Sequence, residues 1–461
     1  MLRRIHVVLV LFPMAACVRG QDNPRDLARS VLKELIEINT TDSVGDNTAA
    51  AQAMAQRFLA AGFPAADVQV ITPAPKKGNL VVRLHGTMQA KPILLLAHLD
   101  VVEARRQDWT LDPFRLNEKD GYFYGRGTQD MKSDGALLVT NFLRLRREGF
   151  HTAGDLILAL TADEEGGRGP NGVTWLLKNR RPLIDAAFAI NMDAGGGQAR
   201  NGHRILYSIQ AAEKSYVSFV LTATNPGGHS SLPTRENAIY DLSAALVKVR
   251  DLQFPLHLND VTRAFFERTA SLPGSKDAAD RRAVAKSPPD SAAAARLSSS
   301  TYENALLHTT CVATMLAGGH ADNALPQTAE ATVNCRALPG ETQSDVERRL
   351  KEAIGPRIAL RVKVPMQPNA ASPPPPELLN RVQAIVQTMW PALPIVPIME
   401  TGATDGLALR GAGIPTYGIS QMFVDIDDIR AHGQDERIRT AYFYDGIDFG
   451  YRLLKELGRH F

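Results

Sequence analysis

The chain has 461 residues, 44% of them hydrophobic and 22% charged, with a net charge of +3. That apolar content over that length fills more than one core and excludes a disordered chain or a single small domain. So small a net charge argues against a nucleic-acid partner, and the sequence carries neither an internal repeat nor a nucleotide-binding glycine loop.

Arg3 and Arg4 precede a mostly apolar stretch, Ile5 to Phe12, and then Met14-Ala15-Ala16-Cys17. A charged start, a short apolar core and small residues before a cut make residues 1–21 a signal peptide, too short to span a membrane. Small residues before Cys17 also suit a bacterial lipoprotein signal. The expected product is exported, either free in the periplasm or anchored through a lipid on Cys17.

From Asp26 to Ile209 strands and helices alternate, which is the pattern of an α/β domain with a sheet flanked by helices. Pro92 to Ala97 reads as a buried strand and ends in His98-Leu99-Asp100. Residues two apart on a strand share a face, so His98 and Asp100 are expected on one side. Gly125-Arg126-Gly127-Thr128-Gln129-Asp130 is a glycine-rich turn ahead of a helical pattern, Ala136 to Leu145. Asp155 to Ala162 reads as a second strand that runs into Asp163-Glu164-Glu165, and Ala186 to Met192 as a third that ends in Asp193. Far downstream Ala431-His432-Gly433 adds a second histidine. One acid before a helix is ordinarily a cap, and adjacent acids are ordinarily solvated. Acids and histidines delivered repeatedly from the ends of apolar runs point instead to the donors of a two-metal hydrolase.

Past Ile209 the pattern changes. Tyr216 to Thr224 reads as a strand, Ala238 to Val249 as a helix, Thr309 to Leu316 and Glu330 to Leu338 as strands, Ser344 to Ile354 as a helix and Ile358 to Val364 as a strand. This β-α-β-β-α-β order fits a ferredoxin-like α+β module inserted into the first domain. The expected division is residues 22–211 and 367–461 for the first domain and 212–366 for the insert, with a proline linker at Pro373 to Pro376. A long connection, about residues 251–304, is rich in alanine, serine and charge in its middle and reads as a surface excursion with some helix. Cys311 and Cys335 fall on two of the strands, where they either pair in an oxidising compartment or stay as buried thiols.

Two divalent metals ~3.5 to 4 Å apart need a bridging carboxylate, further ligands on each side and a water between them. Imidazole and carboxylate donors without thiolates suit zinc first, with cobalt or manganese also fitting. A further carboxylate must take the proton of the attacking water. Glu164 and Glu165 offer one residue for each task.

With His98-Leu99-Asp100, Gly125 to Lys132, Asp163-Glu164-Glu165-Gly166, Asn191-Met192-Asp193, Gly227-Gly228-His229-Ser230-Ser231 and Ala431-His432-Gly433, the chain resembles the dizinc aminoacylase and carboxypeptidase family. That family includes glutamate carboxypeptidase, acetylornithine deacetylase and succinyl-diaminopimelate desuccinylase. The motifs span nearly the whole chain after the signal. The resemblance implies a zinc-peptidase catalytic domain with an inserted lid that also serves dimerisation. It implies that Asp130 bridges two metals, with His98 and Asp193 on one and Glu165 and His432 on the other. Glu164 would be the general base, Asp100 would steady His98, and the peptide bond after Asp130 would be cis. His229 would stabilise the oxyanion, often across a homodimer. Asn323 and Arg336 match lid positions that hold the substrate, and Gly402-Ala403-Thr404-Asp405 resembles a loop that receives a carboxylate through backbone amides and a hydroxyl.

One departure narrows the substrate. Glutamate carboxypeptidase carries an arginine in the loop after the last lid strand, whereas Pro365 to Pro376 has none here. The resemblance is therefore closer to carboxypeptidase S and to N-acyl-amino-acid hydrolases, implying a small peptide or N-acyl amino acid as substrate. A catalytically silent relative of the same fold would be expected to lack the base or a ligand, and this chain retains both.

Overall fold

The computed structural model describes residues 23–166 and 169–461. The expected signal, residues 1–21 with Cys17, lies outside the described residues. Among the described residues no helix is long and apolar enough to cross a membrane.

The centre of the molecule is a ten-stranded mixed sheet. In spatial order it runs Val68–Ile71, Asn79–Leu84, Leu156–Thr161, Ile93–His98, Phe188–Asn191, Thr416–Gly418, His203–Glu213, Gly196–Arg200 and Phe423–Asp425, and Ile395–Glu400 pairs with His203–Glu213. Period-two alternation sorts the side chains of the central strand. Ile93, Leu95 and Ala97 enter the larger core, and Leu94 and Leu96 enter a smaller core on the opposite face. Both faces are covered, which is why these strands read as unbroken apolar runs. Ile93–His98, Leu156–Thr161 and Phe188–Asn191 lie parallel, so their carboxyl ends meet at one edge, where open α/β sheets place their sites.

Ser215–Thr224, Thr310–Gly318, Thr328–Ala337 and Ile358–Val364 form a separate antiparallel sheet. Thr328–Ala337 and Ser215–Thr224 are central; Thr310–Gly318 and Ile358–Val364 are the edges. Helices Ala238–Asp251 and Gln343–Ile354 supply Leu242, Val346 and Leu350 to its core. This is the spatial order of a ferredoxin-like module. Cys311 and Cys335 stand opposite one another on adjacent strands and are joined by a disulfide.

The long connection departs from the expected excursion. It folds into helices Asp260–Thr269, Ala278–Ala285, Ser291–Leu297 and Thr301–Leu307. These share a core with the catalytic sheet, in which Phe266, Ala293, Leu297 and Leu307 pack with Val396, Ile398 and Met399. The surface-like composition misleads because alanine serves as a core residue where short helices approach closely. Phe266→Ala is expected to cost about 3 to 5 kcal/mol, the range for emptying a buried aromatic site, read by urea unfolding. A loss under about 1 kcal/mol would return this segment to a loose excursion.

Candidate active site

The strand Ile93–His98 ends on its histidine, and the buried His98 ring points its Nε2 at Asp130 Oδ1, 3.1 Å away, and at Asp193 Oδ1, 3.5 Å away. His432 arrives from the other side, its Nε2 3.0 Å from Asp130 Oδ2 and 2.7 Å from Glu165 Oε1. Each oxygen of Asp130 thus faces its own set of partners. Donor atoms of His98, Asp130 and Glu165 lie within 4.8 Å of one another, as do those of His98, Glu164 and Asp193. Ligand atoms on a tetrahedral zinc stand roughly 3.3 Å apart, given bonds of ~2.0 to 2.1 Å. The spacings here fit a pair of divalent cations that share Asp130.

The electrostatics make the same case. Burial raises Glu164 well above the ordinary carboxylate range, and the Asp193 carboxylate adds to it. Burial also pushes Asp193 up to about 7, against the pull of His98. Burial acts to lower His98, but Asp193 and Asp130 outweigh it and hold the ring well above its usual range. Such a cluster of desolvated carboxylates has an excess of negative charge, which bound cations would balance.

Asp100 stands beside His98 as expected, but it holds the ring mainly through its main chain. The strand stops at His98, so the alternation that would put Asp100 on the same face ends before reaching it. His98 Nδ1 lies 3.0 Å from the Asp100 main-chain carbonyl and 3.8 Å from its carboxylate. That carboxylate instead accepts the amides of Glu164 and Glu165, at 3.2 and 2.8 Å. Asp100 steadies the histidine with its backbone and the two glutamates with its side chain. Asp163, in the same acidic run, is buried with positive φ. It pairs with Lys77 and accepts Gly169 N–H at 2.7 Å. The Asp130-Met131 peptide is cis. After Asp193 the backbone turns at Gly195, with φ +72, where a Cβ would lie 2.3 Å from the Gly418 carbonyl; only glycine fits there.

Several supporting residues had no readable signal. Glu436 is fully buried. One of its oxygens accepts Gln129 and Asp130 N–H at 2.6 and 3.0 Å, and the other accepts Gly127 N–H at 3.1 Å and Arg126 at 2.6 Å. Arg126 also donates to the His432 and Gly433 carbonyls, at 3.3 and 3.0 Å. The Gln129 amide oxygen accepts Arg430 and Ala431 N–H at 2.8 and 2.9 Å. The turn bearing Asp130 and the loop bearing His432 therefore hold one another. In the sequence Glu436 sits in Gln434-Asp435-Glu436-Arg437, which reads as a solvated charge run.

Thr404 lies close to the ligands. Its hydroxyl accepts Asn191 Nδ2 at 3.1 Å, and Asn191 Oδ1 accepts Asp193 N–H at 3.2 Å. Its amide is taken by Glu213 at 2.7 Å, so among the amides of this loop that of Thr404 is already engaged within the protein. Neighbouring Gly402 is exposed, and Asp405 is buried against Thr161 and Asn171. His229, Asn323 and Arg336 belong to the inserted antiparallel module and make no contact with the cluster among the described residues. His229 is exposed, with Nδ1 2.7 Å from Ser231 Oγ. Asn323, also exposed, accepts Ser230 N–H through its main-chain carbonyl at 3.0 Å. Arg336 has no ion pair among the described residues and lies over the Tyr216 ring, 4.8 Å from its centre.

Imidazoles and acids converging on a shared carboxylate at the strand ends of such a sheet define a metal-dependent hydrolase. Residues 94–456 match the peptidase family M20/M25/M40, and the chain belongs to that family. It is 27% identical over 387 residues to human N-fatty-acyl-amino acid synthase/hydrolase PM20D1, covering 79% of this chain and 74% of that one. It is 26% identical over 436 residues to pig aminoacylase-1, covering 93% and 94%. Its fold is similar to that of the M20 family metallo-carboxypeptidase Sso-CP2 from Sulfolobus solfataricus, with TM-score 0.68 at 16% identity, covering 94% of this chain and 99% of that one.

The Arg126–Glu436 contact yields a direct test. Glu436→Gln removes the charge and one acceptor, and metal affinity is expected to fall about 10- to 100-fold, the usual cost of losing a support behind the ligands. Metal content after dialysis against a weak chelator would report it, with circular dichroism unchanged. Full retention would mean that the contact does not position the ligands.

Proposed function

We propose that the protein hydrolyses an amide bond next to an amino acid bearing a free carboxylate, as a carboxypeptidase or N-acyl-amino-acid amidohydrolase. The observation that carries this reading is the two-sided Asp130 carboxylate, with His98 and Asp193 on one side and Glu165 and His432 on the other. Two divalent ions held there, zinc by the chemistry of the donors, would polarise the substrate carbonyl and activate water. The remaining work falls to side chains. Glu164, raised by burial and by Asp193, accepts a proton from the attacking water and delivers it to the leaving amine. Asp100 keeps Glu164 and Glu165 in register through their amides. The Thr404 hydroxyl accepts two N–H bonds and is held beside the Glu213 carboxylate; turned to a bound substrate, its proton would serve the substrate carboxylate. Arg336, without an ion pair among the described residues, suits the same carboxylate or the carbonyl from the lid, together with Asn323. The relatives named as an aminoacylase and an N-fatty-acyl-amino acid hydrolase support an N-acyl amino acid as substrate.

Glu164→Gln is expected to lower amine release from N-acyl amino acids and dipeptides by about 10²- to 10⁴-fold, the usual contribution of a general base, with metal content unchanged. Loss of metal together with activity would instead exchange the parts of Glu164 and Glu165, and full activity would remove Glu164 from the mechanism.

The working form we propose is a homodimer joined through the lid. In its support, the edge strand Thr310–Gly318 exposes Val312, Met315 and Leu316 by 60, 62 and 69%, beside exposed Ile239 and Tyr240. An unpaired edge with an apolar surface is a template for a second strand. Such a pairing would also bring His229 to a neighbouring site, where its Nε2 could donate to an oxyanion. Leu316→Asp is expected to halve the mass seen by sedimentation. A monomeric wild type would overturn the dimer. Export, with or without a lipid on Cys17, is supported by the signal-like start and by the Cys311–Cys335 disulfide, since such bonds persist in oxidising compartments.

A further inference from the structure

The chain passes from the catalytic sheet into the lid through Glu213, Lys214 and Ser215, and returns through residues 365–369. The two crossings are bonded to each other: Ser215 Oγ donates to the Gln367 carbonyl at 3.0 Å, and the Asn369 side chain donates to the Glu213 carbonyl. Glu213 and Lys214 are adjacent, opposite in charge and both 0% exposed. Their side chains engage different parts of the molecule. One Glu213 oxygen pairs with Arg410 and the other accepts Thr404 N–H at 2.7 Å. Arg410 in turn donates to Gln210 Oε1 and the Thr416 carbonyl at 2.8 and 2.6 Å. Lys214 Nζ donates to the Ala305 and His308 carbonyls at 3.0 and 2.7 Å, and to Thr310 Oγ1 at 3.2 Å. These are the end of the helix Thr301–Leu307 and the first residue of the lid edge strand.

Buried charges are a costly way to join two segments, because apolar side chains of similar volume do so without the desolvation penalty. What this pair adds is direction. Glu213 consumes the Thr404 amide, and Asn191 and Gly406 fill the acceptor positions of the Thr404 hydroxyl. The Thr404 side chain is bonded to the Glu213 carboxylate as well, so one glutamate fixes both the amide and the hydroxyl of this residue. Lys214 shares a peptide bond with Glu213 and moves with the carbonyls it holds.

We propose that Glu213 is the positioning residue that sets the Thr404 loop to receive the substrate carboxylate, and that Lys214 passes the position of the lid to that loop. The proposal rests on the reading that Thr404 meets the carboxylate. The loop is then competent when the lid is seated, and the enzyme selects substrates with a free carboxylate over neutral ones.

The test measures kcat and KM for an N-acyl amino acid and for its carboxamide, in the wild type, Glu213→Gln and Lys214→Met, with metal content and thermal unfolding alongside. Glutamine keeps one acceptor, so either Thr404 N–H or Arg410 then faces an amide NH2. KM for the acid is expected to rise about tenfold in Glu213→Gln with kcat within about threefold, the signature of lost binding rather than lost chemistry. Carboxamide kinetics should stay near wild type. Lys214→Met should show the same split at about threefold. If Glu213→Gln unfolds at assay temperature, Glu213→Asp keeps both oxygens but draws them back, and the same selective rise is expected. Parallel losses on acid and carboxamide would overturn the positioning role, and an unchanged acid KM in Lys214→Met would overturn the link to the lid. A wild type that cleaves acid and carboxamide equally well would sink the carboxylate reading itself, and this proposal with it.

Discussion

Holding Asp130, Glu164, Glu165 and Asp193 within reach of one another in a buried cleft is the constraint around which the molecule is built. Like charges at such spacing repel strongly where water is scarce, so Asp130, Glu165 and Asp193 each meet a histidine, while burial and Asp193 hold Glu164 above the usual carboxylate range. His98 and His432 meet Asp130 from opposite sides, Asp100 gathers the amides of Glu164 and Glu165, and Asn191 ties Asp193 to Thr404. The Arg126–Glu436 pair matters most among these supports. It joins two loops some three hundred residues apart in sequence, and each loop delivers one donor. Three parallel strands bring the remaining donors to a common edge, so the sheet supplies the coarse alignment and the buried hydrogen bonds the fine one.

The coarse alignment was readable in advance. Ile93–His98, Leu156–Thr161 and Phe188–Asn191 are short apolar runs closed by polar residues, a pattern with few competing explanations once helices intervene. The lid was readable for a similar reason, since its strands and helices change period cleanly. The helical insertion was not, because its core residues, Val261, Phe265, Phe266, Val284, Ala293, Ala294, Leu297, Leu306 and Leu307, are spread thinly over four short helices in a sequence rich in alanine, serine and charge. Glu436 and Glu213 were hidden in another way. Burial of a charged residue is set by its tertiary partners, here Arg126 and Arg410, and those partners are distant in the chain. That Asp100 holds His98 mainly through its main-chain carbonyl was not readable, because the strand stops at His98 and its alternation does not reach two residues further.

The division of labour between the two bodies follows from these placements. The domain of the mixed sheet holds both the acid and histidine cluster and the Thr404 loop, joined through Asn191. Arg336, Asn323 and His229 sit on the other body, away from the cluster.

The disulfide between Cys311 and Cys335 has a consequence for how the exposed edge strand behaves before it meets any partner. A strand held only by backbone hydrogen bonds slips in register at little cost when one of its faces is solvated. Thr310–Gly318 is such a strand, and it also contains a bulge between Ala313 and Met315. A covalent bond at its second residue fixes the pairing from that end, so the bulge stays where it is and Met315 and Leu316 keep their outward aim. In a reducing cytosol the same strand would be free to slide, and its apolar side chains would turn from a defined surface into a source of indiscriminate aggregation.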